Sequence, residues 1–158
     1  MAHESINGCI ILKDLFYAVE DNTWVRKNDD GTVTVGMTDV AQNLAGPILH
    51  AKTKGAGTAR TKGKPIATVE SGKWVGPVKS PISGEIIEVN ESLASDAQLI
   101  NRSPYNKGWV VKMKPTDMDN DLSLLVSGDE AVSSYKAKIE RDNIKACTHI
   151  EGSDTYAE

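Results

Sequence analysis

Apolar and polar residues alternate in short runs along most of the chain. The clearest run is Thr32-Val33-Thr34-Val35-Gly36-Met37, which places Val33, Val35 and Met37 on one face. A period of two is the signature of a half-buried strand. Asp29-Asp30-Gly31 before it is a turn signal, and Thr23-Trp24-Val25-Arg26 before that turn is the expected partner strand. Pro81-Ile82-Ser83-Gly84 reads as a turn that opens a strand running to Val89. Trp109-Val110-Val111-Lys112-Met113-Lys114 alternates again and stops at Pro115. No strand is long, and turn residues recur about every ten positions, the pattern of a sandwich or barrel.

Three helices are expected at the edges of this β framework. Thr38 caps one over 39–44, ended by Gly46-Pro47. Ser95 and Gln98 have capping-box spacing and predict a helix over 96–101. Ser127 and Glu130 repeat that spacing before a longer helix with Val132, Tyr135 and Ile139 on one face. Residues 151–158 are small, polar and acidic, and are expected to be disordered. The organisation predicted is an N-terminal extension over 1–15, one domain over 16–142, and a polar acidic tail over 143–158.

Composition narrows the function. The chain has 158 residues, 39% apolar and 25% charged, as an ordinary globular domain has. No apolar run approaches the roughly 18 residues of a membrane span, and the polar start lacks a secretory pattern. A cytoplasmic protein is expected. The two cysteines, Cys9 and Cys147, lie near opposite ends, so free thiols in a reducing compartment are the expectation. No Cys-x-x-Cys or paired histidine suggests a metal. No nucleophile–base pair or phosphate loop suggests an enzyme. A net charge of -4 argues against a general nucleic-acid binder. Yet from Val40 to Val69 there is no acid, and Lys52, Lys54, Arg60, Lys62 and Lys64 lie there. That stretch is expected to form a docking patch for an acidic partner.

The chemistry points to Glu70-Ser71-Gly72-Lys73-Trp74. A strand enters at Ile66–Val69 and another leads out toward Pro81, so Lys73 sits at a hairpin tip. There its amine extends into solvent, open to a modifying enzyme. Gly72 is expected to let the hairpin turn tightly, Ser71 to bond the turn backbone, and Glu70 to aid recognition or orient the turn.

These residues lie in a chain that resembles the H-protein of the glycine cleavage system, a lipoyl carrier of the biotinyl/lipoyl fold. The resemblance runs from about Trp24 to Tyr135. It includes Thr38-Asp39, Leu44-Ala45-Gly46, Val69-Glu70-Ser71-Gly72-Lys73, Ser80-Pro81-Ile82-Ser83-Gly84-Glu85, Leu99-Ile100-Asn101, Ser103-Pro104-Tyr105, Gly108-Trp109 and Lys112-Met113-Lys114-Pro115. The family sets its lipoyl lysine eight residues before the proline of Pro-x-Ser-Gly-Glu, as Lys73 stands before Pro81. The resemblance implies an all-β fold with peripheral helices, the barrel-sandwich hybrid of H-protein type. It implies lipoate covalently attached to Lys73, with Glu70, Ser71, Gly72 and Trp74 as flanking recognition residues. The protein would then be a non-catalytic carrier, modified by a lipoate-protein ligase or lipoyl transferase.

The chain departs from the family at informative places. The family reads His-Glu-Trp where Asn22-Thr23-Trp24 stands, and Lys-Ala-x-Ser-Asp where Lys73-Trp74-Val75-Gly76-Pro77 stands. The missing Glu and Asp belong to the family's shelter for an aminomethyl-loaded arm, whose ammonium needs acceptors to offset desolvation. A family stretch rich in apolar and acidic residues is here basic, from Gly46 to Lys54. These changes resemble the H-type lipoate-binding proteins of the heterodisulfide-reductase-like system of sulfur oxidisers. The expected role is therefore shuttling a sulfur intermediate to such a complex. The alternative is the aminomethyl shuttle of glycine cleavage, with glycine decarboxylase, aminomethyltransferase and dihydrolipoyl dehydrogenase as partners. Trp74 is read as either an interface residue or a packed strand residue, Trp24 and Trp109 as core, and His50 as a surface histidine.

Overall fold

A computed structural model describes residues 2–155. A hairpin of β1 (His3–Ile6) and β2 (Cys9–Leu12) opens the chain. Then come β3 (Phe16–Ala18), β4 (Thr23–Lys27), β5 (Val33–Met37), α1 (Asp39–Ala45), β6 (Ile48–Thr53) and β7 (Ala59–Arg60). The hairpin of β8 (Pro65–Ser71) and β9 (Val75–Lys79) leads to β10 (Gly84–Val89). Two single-turn helices, α2 (Ser92–Ser95) and α3 (Leu99–Arg102), precede β11 (Val111–Pro115). Last are α4 (Met118–Ser123), β12 (Val126–Ser127) and α5 (Gly128–Arg141).

Seven strands form one antiparallel sheet in the order β12-β3-β4-β5-β11-β10-β7, and β6-β8-β9 form another. Their inner faces share one core, in which Val33, Val35 and Met113 of the larger sheet meet Ile48, Val69 and Val78 of the smaller. This is the expected all-β sandwich with helices at its rim. A second core lies beyond β4. Here the first hairpin, Tyr17, Trp24, Tyr105 and α5 pack together with Ile144 and Cys147. Trp24 reaches it because Gly36 is directly opposite in the strand register, and a side chain at Gly36 would occupy the indole's place. Burial lifts the Tyr105 phenol well above its ordinary value, so it stays a neutral donor to the Ile10 carbonyl.

The helices follow their signals unevenly. Thr38 caps α1 as expected, its hydroxyl accepting the Ala41 N–H at 3.1 Å, and Gly46 ends the helix at φ 77°. The helix expected over 96–101 is instead split into α2 and α3, with Asp96 between them. The Ser95 hydroxyl donates to Ser92 and caps nothing downstream. Two tight turns here satisfy their own backbone, which leaves a capping box nothing to do. Ser127 stands at the start of α5 but makes no side-chain cap bond. Of its expected apolar face, Tyr135 and Ile139 are buried and Val132 only partly so. Trp24 is fully buried, whereas Trp109 is half-buried under the Lys112 ammonium.

Two expectations about the ends are corrected. Cys9 and Cys147 are not free thiols. They form a disulfide across a separation of 138 residues, with Cα atoms 4.8 Å apart. The tail is not loose from residue 151, since Asp154 donates its N–H to Arg102 at 2.8 Å and Thr155 is buried. Residues 156–158 of that expectation lie outside the described residues. No described helix is long and apolar enough to cross a membrane, and no group of metal-binding side chains occurs among the described residues.

Candidate functional site

The β8–β9 hairpin extends from the smaller sheet and carries Lys73 at its tip. Its register aligns Glu70 with Val75 and Val69 with Gly76. The turn closes through the Ser71 N–H on the Trp74 carbonyl at 2.8 Å. The Ser71 hydroxyl, itself buried, accepts the Lys73 N–H at 3.3 Å. Gly72 does not occupy the left-handed region, and a side chain there would meet nothing within 4 Å. The turn therefore does not need a glycine, contrary to the sequence expectation. The glycine that matters to the site is Gly76, because the Trp74 indole folds back over it and a Cβ there would force the indole to move.

Beneath the lysine lies the end of α1. A Cβ on Gly46 would stand 3.0 Å from Lys73 Cε and 3.7 Å from Nζ, so the lysine stem runs close over that backbone. Asn101 fixes this ground. Its amide donates to the Gly46 carbonyl at 2.9 Å and its oxygen accepts the Ile48 N–H at 2.9 Å. The sequence showed Asn101 within a family motif without revealing that it holds the floor under the lysine.

Two depressions flank Leu44, which is 45% exposed and lines both. One, of about 200 Å³, brings together Thr23, Met37, Ala41, Trp74 and Pro77. Thr23 and Pro77, far apart in sequence, thus line one pocket beside the lysine. Thr23 is 1% exposed, and its hydroxyl has no hydrogen-bond partner among the described residues. A buried hydroxyl without a protein partner costs about 1–3 kcal/mol. The only carboxylate lining this pocket belongs to Asp21, an exposed rim residue.

The other depression, a groove of about 580 Å³, includes Lys73 itself, Asn43, and Ile144, Lys145 and Thr148 of the segment after α5. That segment is a strap without regular structure, clipped to α1. Asn43 donates to the Lys145 carbonyl and accepts the Thr148 N–H, both at 3.1 Å. Asp39, fully buried, accepts the Ile10 N–H and the Gln42 amide and faces His149 Nε2 at 2.7 Å. Nothing in the sequence marked Asp39 and His149 as a pair.

The outer face of the smaller sheet carries His50 and Lys52 on β6, Thr68 and Glu70 on β8, and Val75, Pro77 and Lys79 on β9, all exposed. His50 stands opposite Glu70. The basic stretch of the sequence is thereby divided. Arg60 belongs to β7 in the larger sheet, and Lys62 is tied to the Pro81 carbonyl at 3.0 Å. Lys52, Lys54 and Lys79 make no ion pair among the described residues.

Known proteins share this fold. The family model described as glycine cleavage H-protein matches residues 15–138. The chain is 48% identical over 141 residues to glycine cleavage system H protein 2 of Aquifex aeolicus, covering 89% of this chain and 88% of that one. It is 39% identical over 125 residues to the glycine cleavage system H protein of Saccharophagus degradans, covering 79% and 92% of the two chains. The crystal structure of a glycine cleavage system H protein from Mycobacterium marinum superposes with a TM-score of 0.69 at 29% identity, covering 79% of this chain and 98% of that one.

Proposed function

The chain belongs to the glycine cleavage H-protein family, and on that premise we propose that Lys73 is the residue that carries its lipoyl group. Proteins of this family are non-catalytic carriers with lipoate bound covalently to a lysine. The observation that carries the assignment to Lys73 is its position. It is exposed at the tip of a hairpin, above a floor pinned by Asn101, with a partnerless buried hydroxyl in the pocket alongside. Such a site can hold a long amide-linked arm. The attached dithiolane supplies the redox and transfer chemistry, while the protein supplies attachment, orientation and recognition. Ser71 orients the turn backbone, Trp74 walls the pocket, and Glu70 faces a lipoate ligase or transferase.

For the cargo, family membership and the names of the relatives support an aminomethyl shuttle in glycine cleavage, with glycine decarboxylase and aminomethyltransferase as partners. A rim carboxylate, Asp21, agrees with that reading. A second reading rests on the inner pocket. Its lining holds the buried Thr23 and the exposed Pro77 in place of acids. An ammonium taken from water needs charged or well-placed acceptors, whereas neutral or anionic sulfur does not. This supports a sulfur intermediate passed to a heterodisulfide-reductase-like complex. A cytoplasmic location suits either reading, and the Cys9–Cys147 cross-link, exposed to 0% and 7% at its two residues, is shielded there from direct thiolate attack.

The two cargoes separate in one assay. Lipoylated protein is supplied to glycine decarboxylase with labelled bicarbonate, beside a lipoylated H-protein of known glycine-cleavage activity. Exchange within a few-fold of that carrier supports the aminomethyl role. Exchange lower by about a hundredfold to ten-thousandfold, the loss expected from two charged hydrogen bonds of roughly 1.5–3 kcal/mol each, supports the sulfur role.

A further inference from the structure

The family match ends at residue 138 and begins at residue 15. Cys9 and Cys147 both lie outside it, and they are joined to each other. The strap that follows α5 is fastened more heavily than its packing requires. Between residues 143 and 150 only Ile144 and Cys147 are buried. Yet the segment has the disulfide and several further ties. Asn7 accepts the Cys147 N–H at 3.0 Å and donates to the Ile144 carbonyl at 3.2 Å. Asn43 clips it twice, Gln42 donates to Thr148, and Asp39 holds His149. Asn143 enters it at φ 50°, a conformation that asparagine adopts more readily than most residues. So many ties on so little buried surface fix a position more than they build a core.

That position is the outer wall of the groove in which Lys73 takes part. Leu44, Ile144 and Ala146 line it together with Asn43, Thr148, Lys145 and Asp142, and the Asp142 carboxylate is already paired with Arg141. The lysine stem already lies over Gly46 at the groove's edge. An arm extended from Lys73 thus has two places to lie, on either side of Leu44.

We propose that the groove beside the strap is a second resting place for the Lys73-linked arm, suited to its uncharged dithiolane end, and that the Cys9–Cys147 disulfide keeps the groove's outer wall in place. The inference rests on lipoylation of Lys73. It gives the carrier a berth that does not use the Thr23 pocket, so a free arm and a loaded arm can occupy different sides of Leu44. The disulfide acts as a fastening and is not consumed.

Amide exchange on the full chain, disulfide intact, with and without the lipoyl group, tests this. The reporting amides are those of Cys147 and Thr148, which are bonded to Asn7 and Asn43. Lipoylation is expected to slow exchange of the peptide spanning 143–148 by about threefold or more, since an occupied groove opens less often. Peptides in β11 should not change. In the double variant Cys9→Ser, Cys147→Ser the slowing should vanish, and should the variant fail to fold, Asn43→Ala with the disulfide kept should reduce it. Equal exchange with and without lipoyl, or slowing confined to peptides around Thr23, would overturn the berth. A chain that a lipoate ligase leaves unmodified, read by intact mass, overturns the carrier assignment and the berth with it. A lipoylated chain with an unchanged strap overturns the berth alone.

Discussion

The β8–β9 hairpin and the C-terminal strap face each other across Leu44, and they are held in opposite ways. The hairpin is fixed by local order. A regular antiparallel register, one buried serine and an indole folded over Gly76 suffice to project Lys73. The strap has no register at all. It stays in place through a cross-link and side-chain bonds to residues more than a hundred positions away. A presented group needs a stiff, short-range mount that partners can approach. A wall needs only to be tied down, and long-range ties do this without regular structure.

The largest effect expected is on the hairpin side. Lys73→Arg should abolish lipoylation and all carrier function, because guanidinium is not an acceptor for the ligase. The fold should not suffer, as an exposed tip residue contributes within about 0.5 kcal/mol. Mass spectrometry and thermal unfolding of the variant check the two halves, and a large fall in melting temperature would show that Lys73 is structural.

Next comes the strap. Removing the cross-link with Cys9→Ser and Cys147→Ser releases a loop that spans nearly the whole chain. Chain entropy puts the loss at roughly 2–5 kcal/mol, read as a lower guanidinium midpoint. The hairpin should keep its shape, so a lipoate ligase should still modify Lys73 in the variant. Loss of modification would mean that the two regions are not independent.

A smaller effect is expected on the outer sheet face that leads to the hairpin. Lys52→Glu with Lys54→Glu should slow association with an acidic partner at low salt and matter little at high salt, where charges are screened within about 8 Å or less. Stopped-flow association rates at two ionic strengths decide this, and unchanged rates would reduce these lysines to solvated surface. The smallest effect lies in the pocket on the other side of Leu44. Thr23→Val removes the partnerless hydroxyl and should stabilise the unlipoylated protein by about 1 kcal/mol. Destabilisation in a denaturant titration would show that the hydroxyl has a partner in solution.

The same contrast explains what could be read in advance. The strands around Val33, Val35 and Met113, the Thr38 cap and the placement of Lys73 at a hairpin tip depend on residues close together in sequence. Period and turn chemistry reveal these. The Cys9–Cys147 bond, the Asp39–His149 contact and the grip of Asn101 on Gly46 are fixed by the closing of the second core and of the sandwich edge. No spacing rule connects residues 9 and 147, and two cysteines in a long chain without a secretory start suggested thiols. The split of the helix expected over 96–101 is a different failure. There two local solutions competed, and the tighter turns prevailed. Gly72 misled for a third reason, because a glycine at a turn suggests a left-handed residue that this turn does not contain.

The central claim is that Lys73 carries lipoate. Protein isolated from its native host and digested to a peptide containing Lys73 tests it directly by mass. The account predicts the lipoyl increment on that peptide and on no other lysine. An unmodified Lys73 peptide from actively growing cells, or the increment on a different lysine, would contradict it.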